Sequence, residues 1–79
     1  MKLKVEVRAE TPALSGCGEE PCAFFLGKRR IAVLEIVDRW PALQQCYFKI
    51  VADDGATYIL RHDELAGEWE LTLFQAPVR

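Results

Sequence analysis

Leu3, Val5 and Val7 alternate with Lys2, Lys4, Glu6 and Arg8, the period-2 pattern of a strand with one buried and one wet face. The charges on its wet face suit a position at a sheet edge. The longest β-branched apolar run, Arg30-Ile31-Ala32-Val33-Leu34-Glu35-Ile36-Val37-Asp38-Arg39-Trp40, predicts a long central strand, stopped near Pro41 because proline has no N–H and restricts the residue before it. Ala23–Leu26 reads as a short strand leading into it through a tight turn at Gly27-Lys28-Arg29. Ala42–Gln45 reads as a turn. Cys46–Ala52 and Thr57–His62 read as two strands joined at Asp53-Asp54-Gly55-Ala56, the strongest hairpin signal in the chain. After a polar loop at 63–67, Glu68–Phe74 reads as the closing strand. From Glu10 to Pro21 the Thr-Pro, Ser-Gly and Glu-Pro steps predict a flexible loop, 10–21, long for so small a domain.

A two-residue turn at Asp54-Gly55 would set Ala52 opposite Thr57, Ile50 opposite Ile59 and Phe48 opposite Arg61. One face then collects Leu34, Ile36, Phe48, Ile50, Ile59, Trp69, Leu71 and Leu73, the expected core. The other face carries Val33, Val37, Tyr47, Val51, Tyr58, Leu60 and Phe74, diluted by Glu35, Lys49 and His62. A sheet apolar on both sides must curl on itself, be covered, or meet a partner. The expectation is one mostly β domain over residues 1–79: a small, strongly curled antiparallel sheet or an SH3-like barrel of five to six strands. It would be a monomer or a weak homodimer.

Charge and cysteine content narrow the class. Ten basic and twelve acidic residues give a net charge of −2, which does not suggest a polybasic nucleic-acid or membrane binder. No secretion-signal pattern and no membrane-length apolar run is visible. Three cysteines, an odd number, fit a disulfide framework poorly and point to free thiols in a reducing cytoplasm.

The candidate chemistry is sparse. Lys28, Arg29 and Arg30 form a basic turn tip; with Arg39 and Lys49, and with Tyr47, Tyr58 or Trp40 for stacking, they could make an anion-binding edge for single-stranded nucleic acid. Asp38, Phe48, Arg61 and Trp69 fall together in the register above and read as an ion pair and cation–π stack sealing one end of the core. Cys17 and Cys22, with Cys46 and His62, are ligand types that zinc accepts. However, the last two lack a partner at short spacing and fall on opposite faces, so no metal is expected. His62, the lone histidine, has no nucleophile or acid tied to it by motif and reads as a surface residue. No catalytic residue and no cofactor are expected.

Phe24-Phe25-Leu26-Gly27-Lys28-Arg29-Arg30, Val33 with Ile36-Val37-Asp38-Arg39-Trp40, Tyr47-Phe48-Lys49-Ile50, Asp54-Gly55 with Tyr58-Ile59-Leu60, and Gly67-Glu68-Trp69-Glu70-Leu71 together resemble an uncharacterised bacterial family of small β proteins. In that family a basic hairpin leads to an I-x-D-R-W strand and the chain closes on a G-x-W strand. The resemblance spans residues 22 to 75; the segment after Trp40 is shorter and less aromatic here. It implies a cytoplasmic protein, and the family's association with error-prone DNA polymerase gene neighbourhoods implies a DNA-repair context by analogy alone. The function expected is a non-catalytic binding or accessory module. Its main contact would be with an unidentified protein through an apolar sheet face or edge. Nucleic-acid contact through the Lys28–Arg30 tip is the alternative.

Overall fold

A computed structural model describes residues 3–10 and 20–76. Six strands follow in chain order: β1 (Leu3–Glu10), β2 (Glu20–Leu26), β3 (Arg29–Ala42), β4 (Gln45–Ala52), β5 (Thr57–Asp63) and β6 (Glu68–Gln75). Each pairs antiparallel with the next, and β1 with β6, so the sheet closes into a small barrel. Closure is the curling that a sheet apolar on both faces requires, since it turns one face wholly inward. It also means that β1 is a closing strand rather than a sheet edge.

Two strands divide their pairing. Leu3–Val5 of β1 pair with β6, whereas Glu6–Glu10 pair with β2. Arg29–Ala32 of β3 pair with β2, whereas Val33–Ala42 pair with β4. The fourteen residues of β3 serve both neighbours because the strand is bent by two bulges, at Leu34 and at Val37, each an extra residue with no opposite number on β4. A bulge kinks a strand, increases its twist and displaces the alternation of faces by one. Ile36 and Arg39 therefore share the inner face with Ile50 and Phe48, and Asp38 is carried outside opposite Lys49.

The core consists of Phe24, Ile31, Cys46, Phe48, Ile50, Tyr58, Leu60, Trp69 and Leu71, with Ala23, Ala52 and Ala56 filling the gaps. Full burial of each large side chain contributes about 1.5–3 kcal/mol. Phe24 meets Tyr58 edge-on at 4.9 Å and Phe48 meets Trp69 at 5.6 Å. Four of the eight expected core residues are in place (Phe48, Ile50, Trp69 and Leu71), and Ile36 packs at the core's margin. Leu34 and Leu73 are exposed instead, and Ile59 lies on the outer face, where Tyr58 and Leu60 were expected.

The exchange has two causes. The β4–β5 connection is a three-residue loop: the Gly55 N–H donates to Ala52 O at 2.9 Å, the Ala52 N–H donates to Ala56 O at 3.0 Å, and Gly55 takes φ 81°. A third loop residue slips β5 by one, setting Ile50 opposite Tyr58 and Phe48 opposite Leu60. That slip turns every β5 side chain over. In β6 a bulge at Thr72 does the same to Leu73.

The two prolines within strands sit where a missing N–H costs little. Pro41 lies in the half of β3 that, among the described residues, pairs on one side only, so the strand runs on to Ala42 rather than ending at Trp40. Pro21 lies in a part of β2 paired with β1 but not with β3. Glu10, Glu20 and Pro21, expected in the flexible loop, thus belong to strands; the rest of that loop, 11–19, lies outside the described residues.

A candidate interaction surface on the distal half of β3

Beyond Val33, β3 pairs only with β4, and its other edge has no strand beside it among the described residues. This half carries exposed apolar side chains at a spacing of three: Leu34 (68% exposed), Val37 and Trp40. The first two are the bulged residues, which explains why aliphatic side chains in the most strand-like run of the sequence face solvent. Trp40 lies directly opposite Tyr47, and their rings stack at 5.5 Å with planes 3° apart. The Tyr47 hydroxyl donates to Gln45 Oε1 at 3.2 Å. A cross-strand aromatic pair of this kind adds about 0.5–1.5 kcal/mol and stiffens the surface it forms.

The surface continues into the turn at the end of the hairpin. Leu43 is 89% exposed there, and Leu65, in the β5–β6 loop at the same pole, is 78% exposed. The two loops are tied together by the Glu64 N–H donating to Gln44 O at 3.0 Å. Asp63 fixes the second loop, its Oδ1 accepting from the N–H groups of Leu65 and Ala66, each at 3.1 Å. Turn tips are ordinarily polar. Here two leucines are presented on hydrogen-bonded, pre-ordered loops.

Charges around the surface are mostly paired. Arg39 bridges Glu20, Arg61 bridges Glu70, and Asp38 Oδ1 accepts the Arg39 backbone N–H at 2.8 Å. Lys49 lies opposite Asp38 and makes no ion pair among the described residues.

The residues named as an anion-binding edge do not share one surface. Arg39, Trp40, Tyr47 and Lys49 lie along the distal β3–β4 hairpin, whereas Lys28, Arg29 and Arg30 lie at the opposite end of β3. Arg29 is engaged by Asp54 at 3.5 Å. Tyr58 is wholly buried and cannot stack on a ligand. Burial and a 2.7 Å hydrogen bond to Asp54 push its hydroxyl up to about 12. Asp54 is shifted the other way: burial raises it, but the Ala56 N–H, the Tyr58 hydroxyl and the Arg29 guanidinium outweigh that and hold it below its ordinary value.

The cluster expected from Asp38, Phe48, Arg61 and Trp69 also divides, because of the bulges and the slip in β5. Phe48 and Trp69 touch inside the barrel; Asp38 and Arg61 face outward. His62, expected at the surface, lies inward, stacked on Trp69 at 4.3 Å and 10°, with Nδ1 buried and without a hydrogen bond. Cys46 lies opposite His62 on the same face, not across the sheet from it. Cys46 is disulfide-bonded rather than a free thiol, so its sulfur is not a thiolate ligand. Cys22 is free and donates to Arg8 O at 3.2 Å. Cys17 lies outside the described residues, among which no metal-binding group forms.

Leu43 and Leu65 are the surface residues that a pattern-based reading misses, since both fall in segments read only as turns. A leucine at a turn tip is itself the signal that could have found them. Among the described residues no helix is long and apolar enough to cross a membrane. Compared with family models, with characterised proteins and with solved structures, the chain shows no significant match.

Proposed function

We propose that this domain is a non-catalytic binding module that contacts another protein through the distal half of β3 and the adjoining loop tips. The observation that carries this reading is the row Leu34, Val37 and Trp40 on a strand half whose second edge has no strand beside it among the described residues, continued by Leu43. Aromatic and aliphatic anchors on a pre-ordered scaffold are what protein interfaces use at their centres, and a strand edge without a neighbour among the described residues would add backbone donors and acceptors. Nucleic-acid contact has less support. The five basic residues once grouped for it divide between two poles, and two of them are held by carboxylates. The family resemblance in the Asp38-Arg39-Trp40 strand is consistent with an accessory role in bacteria.

The test compares partners recovered from the native host by the wild-type chain and by a Val37→Asp, Leu43→Ser double variant. Both sites are exposed, so the variant should keep its urea midpoint. Loss of a specific partner with an unchanged midpoint supports the reading. Retention of every partner refutes it.

A further inference from the structure

The pole opposite Leu43 and Leu65 holds a cavity of about 450 Å³ lined by Leu3, Leu26, Gly27, Arg29, Asp54, Tyr58, Leu71 and Phe74. It lies where β1 leaves β2 for β6, since Glu6 is the last β1 residue opposite β2 and Val5 already faces Trp69. Leu71 and Tyr58 belong to the core, so the cavity reaches down to it. Phe74 and Leu3 stand half-exposed, and Phe74 packs on Tyr58 at 5.1 Å. The walls are therefore aliphatic and aromatic, and the volume falls within the roughly 300–1,000 Å³ of small-molecule sites, which favour the mouths of barrels.

We propose that this mouth binds a small carboxylic acid with a compact apolar or aromatic body, its head group on Arg29 and its body against Leu3, Leu26 and Phe74. The sign of the head group follows from which charges at the rim are already satisfied. Asp54 accepts from the Ala56 N–H at 2.9 Å and from the Tyr58 hydroxyl at 2.7 Å, and meets Arg29 at 3.5 Å. Its acceptor capacity is largely used. Among the described residues Arg29 makes that one long contact, from a side chain 65% exposed, which leaves most of its five donors open to a carboxylate. Lys28 and Arg30 flank it without ion pairs among the described residues, so positive charge predominates on that turn. A cationic ligand would meet these charges, and the carboxylate that lines the cavity among the described residues, Asp54, is already engaged by three partners. The site is separate from the β3 surface, and the two proposals fail independently.

The test is an amide NMR titration of the full chain with three probes that share one body and differ in head group: phenylacetate, 2-phenylethylammonium and 2-phenylethanol. Phenylacetate should bind at roughly millimolar affinity, as expected of so small a ligand, shifting amides of residues 3, 26–29, 54 and 74. It should bind about tenfold more tightly than the ammonium. Arg29→Gln should remove that advantage with the fold intact, and Phe74→Ala should weaken all three probes. Equal affinity for the ammonium, shifts confined to residues 34–43, or no saturable shift at tens of millimolar would each overturn the proposal.

Discussion

Ile31 and Leu34 stand three residues apart in β3 and carry branched aliphatic side chains of the same size, yet Ile31 has no exposed surface and Leu34 is 68% exposed. Ile31 belongs to the proximal half, paired with β2, where it points into the barrel opposite Phe24. Leu34 belongs to the distal half, where it is the extra residue of a bulge. Hydrophobicity alone does not decide which of the two is buried. The pairing partner and the local residue count do, and in the distal half they place apolar groups where another molecule can reach them.

The two tryptophans should separate the halves most sharply. Trp69 is buried between Phe48 and His62, so Trp69→Ala should cost about 3–5 kcal/mol. Trp40→Ala should cost about 1 kcal/mol, the worth of its stack on Tyr47. Urea unfolding of both variants measures the gap; equal losses would mean that the distal half is as integral to the fold as the core. The aliphatic pair repeats the contrast on a smaller scale. Ile31→Ala should cost about 2–5 kcal/mol and Leu34→Ala no more than about 0.5 kcal/mol.

The β4–β5 loop gives a third contrast, between a turn saturated with hydrogen bonds and the apolar Leu43 turn. Asp54→Ala leaves the buried Tyr58 hydroxyl and the Ala56 N–H without their acceptor and should cost about 1–3 kcal/mol. Leu43→Ser should change stability by less than about 0.5 kcal/mol. The Asp54 effect is pH-dependent. A carboxyl held below its ordinary 3.8 in the folded chain contributes stability that is full above that value and lost as the pH falls through the folded value. The wild type and Asp54→Ala should therefore converge in urea midpoint as pH falls below 4. Tyr58 acts at the other end of the scale. With its hydroxyl raised from 10.0 to about 12, its share of stability is full below pH 10 and declines as pH rises to 12; the difference between wild type and Tyr58→Phe over that range checks it.

Smaller effects belong to the cysteines. Cys22 is exposed and free, whereas Cys46 is wholly buried and disulfide-bonded. Iodoacetamide should alkylate Cys22 in the native protein and leave Cys46 untouched, with mass mapping of the labelled peptides as the readout.

All six strands were legible in the sequence, because alternation and turn residues mark each one, and the barrel follows from a sheet apolar on both faces. The faces were less legible. Asp54-Gly55 suits a two-residue turn as well as it suits the last two residues of a three-residue loop, and that single residue exchanges Ile59 for Tyr58 and Leu60 in the core. The bulges at Leu34, Val37 and Thr72 leave no local mark; nothing in Val33-Leu34-Glu35 distinguishes a bulged leucine from a buried one. Trp40 and Tyr47 could be named because exposed aromatics at a strand end are conspicuous. Their stacking could not, since it depends on the register that the two bulges set.

The most direct measurement places a photo-crosslinking amino acid at position 37, on the distal half of β3, and separately at position 6, on β1, in the chain expressed in its native host. The distal-half account predicts one discrete crosslinked protein from position 37 that is absent from position 6 and is lost when Leu43→Ser is added. Identical products from both positions, or none from position 37, would contradict it.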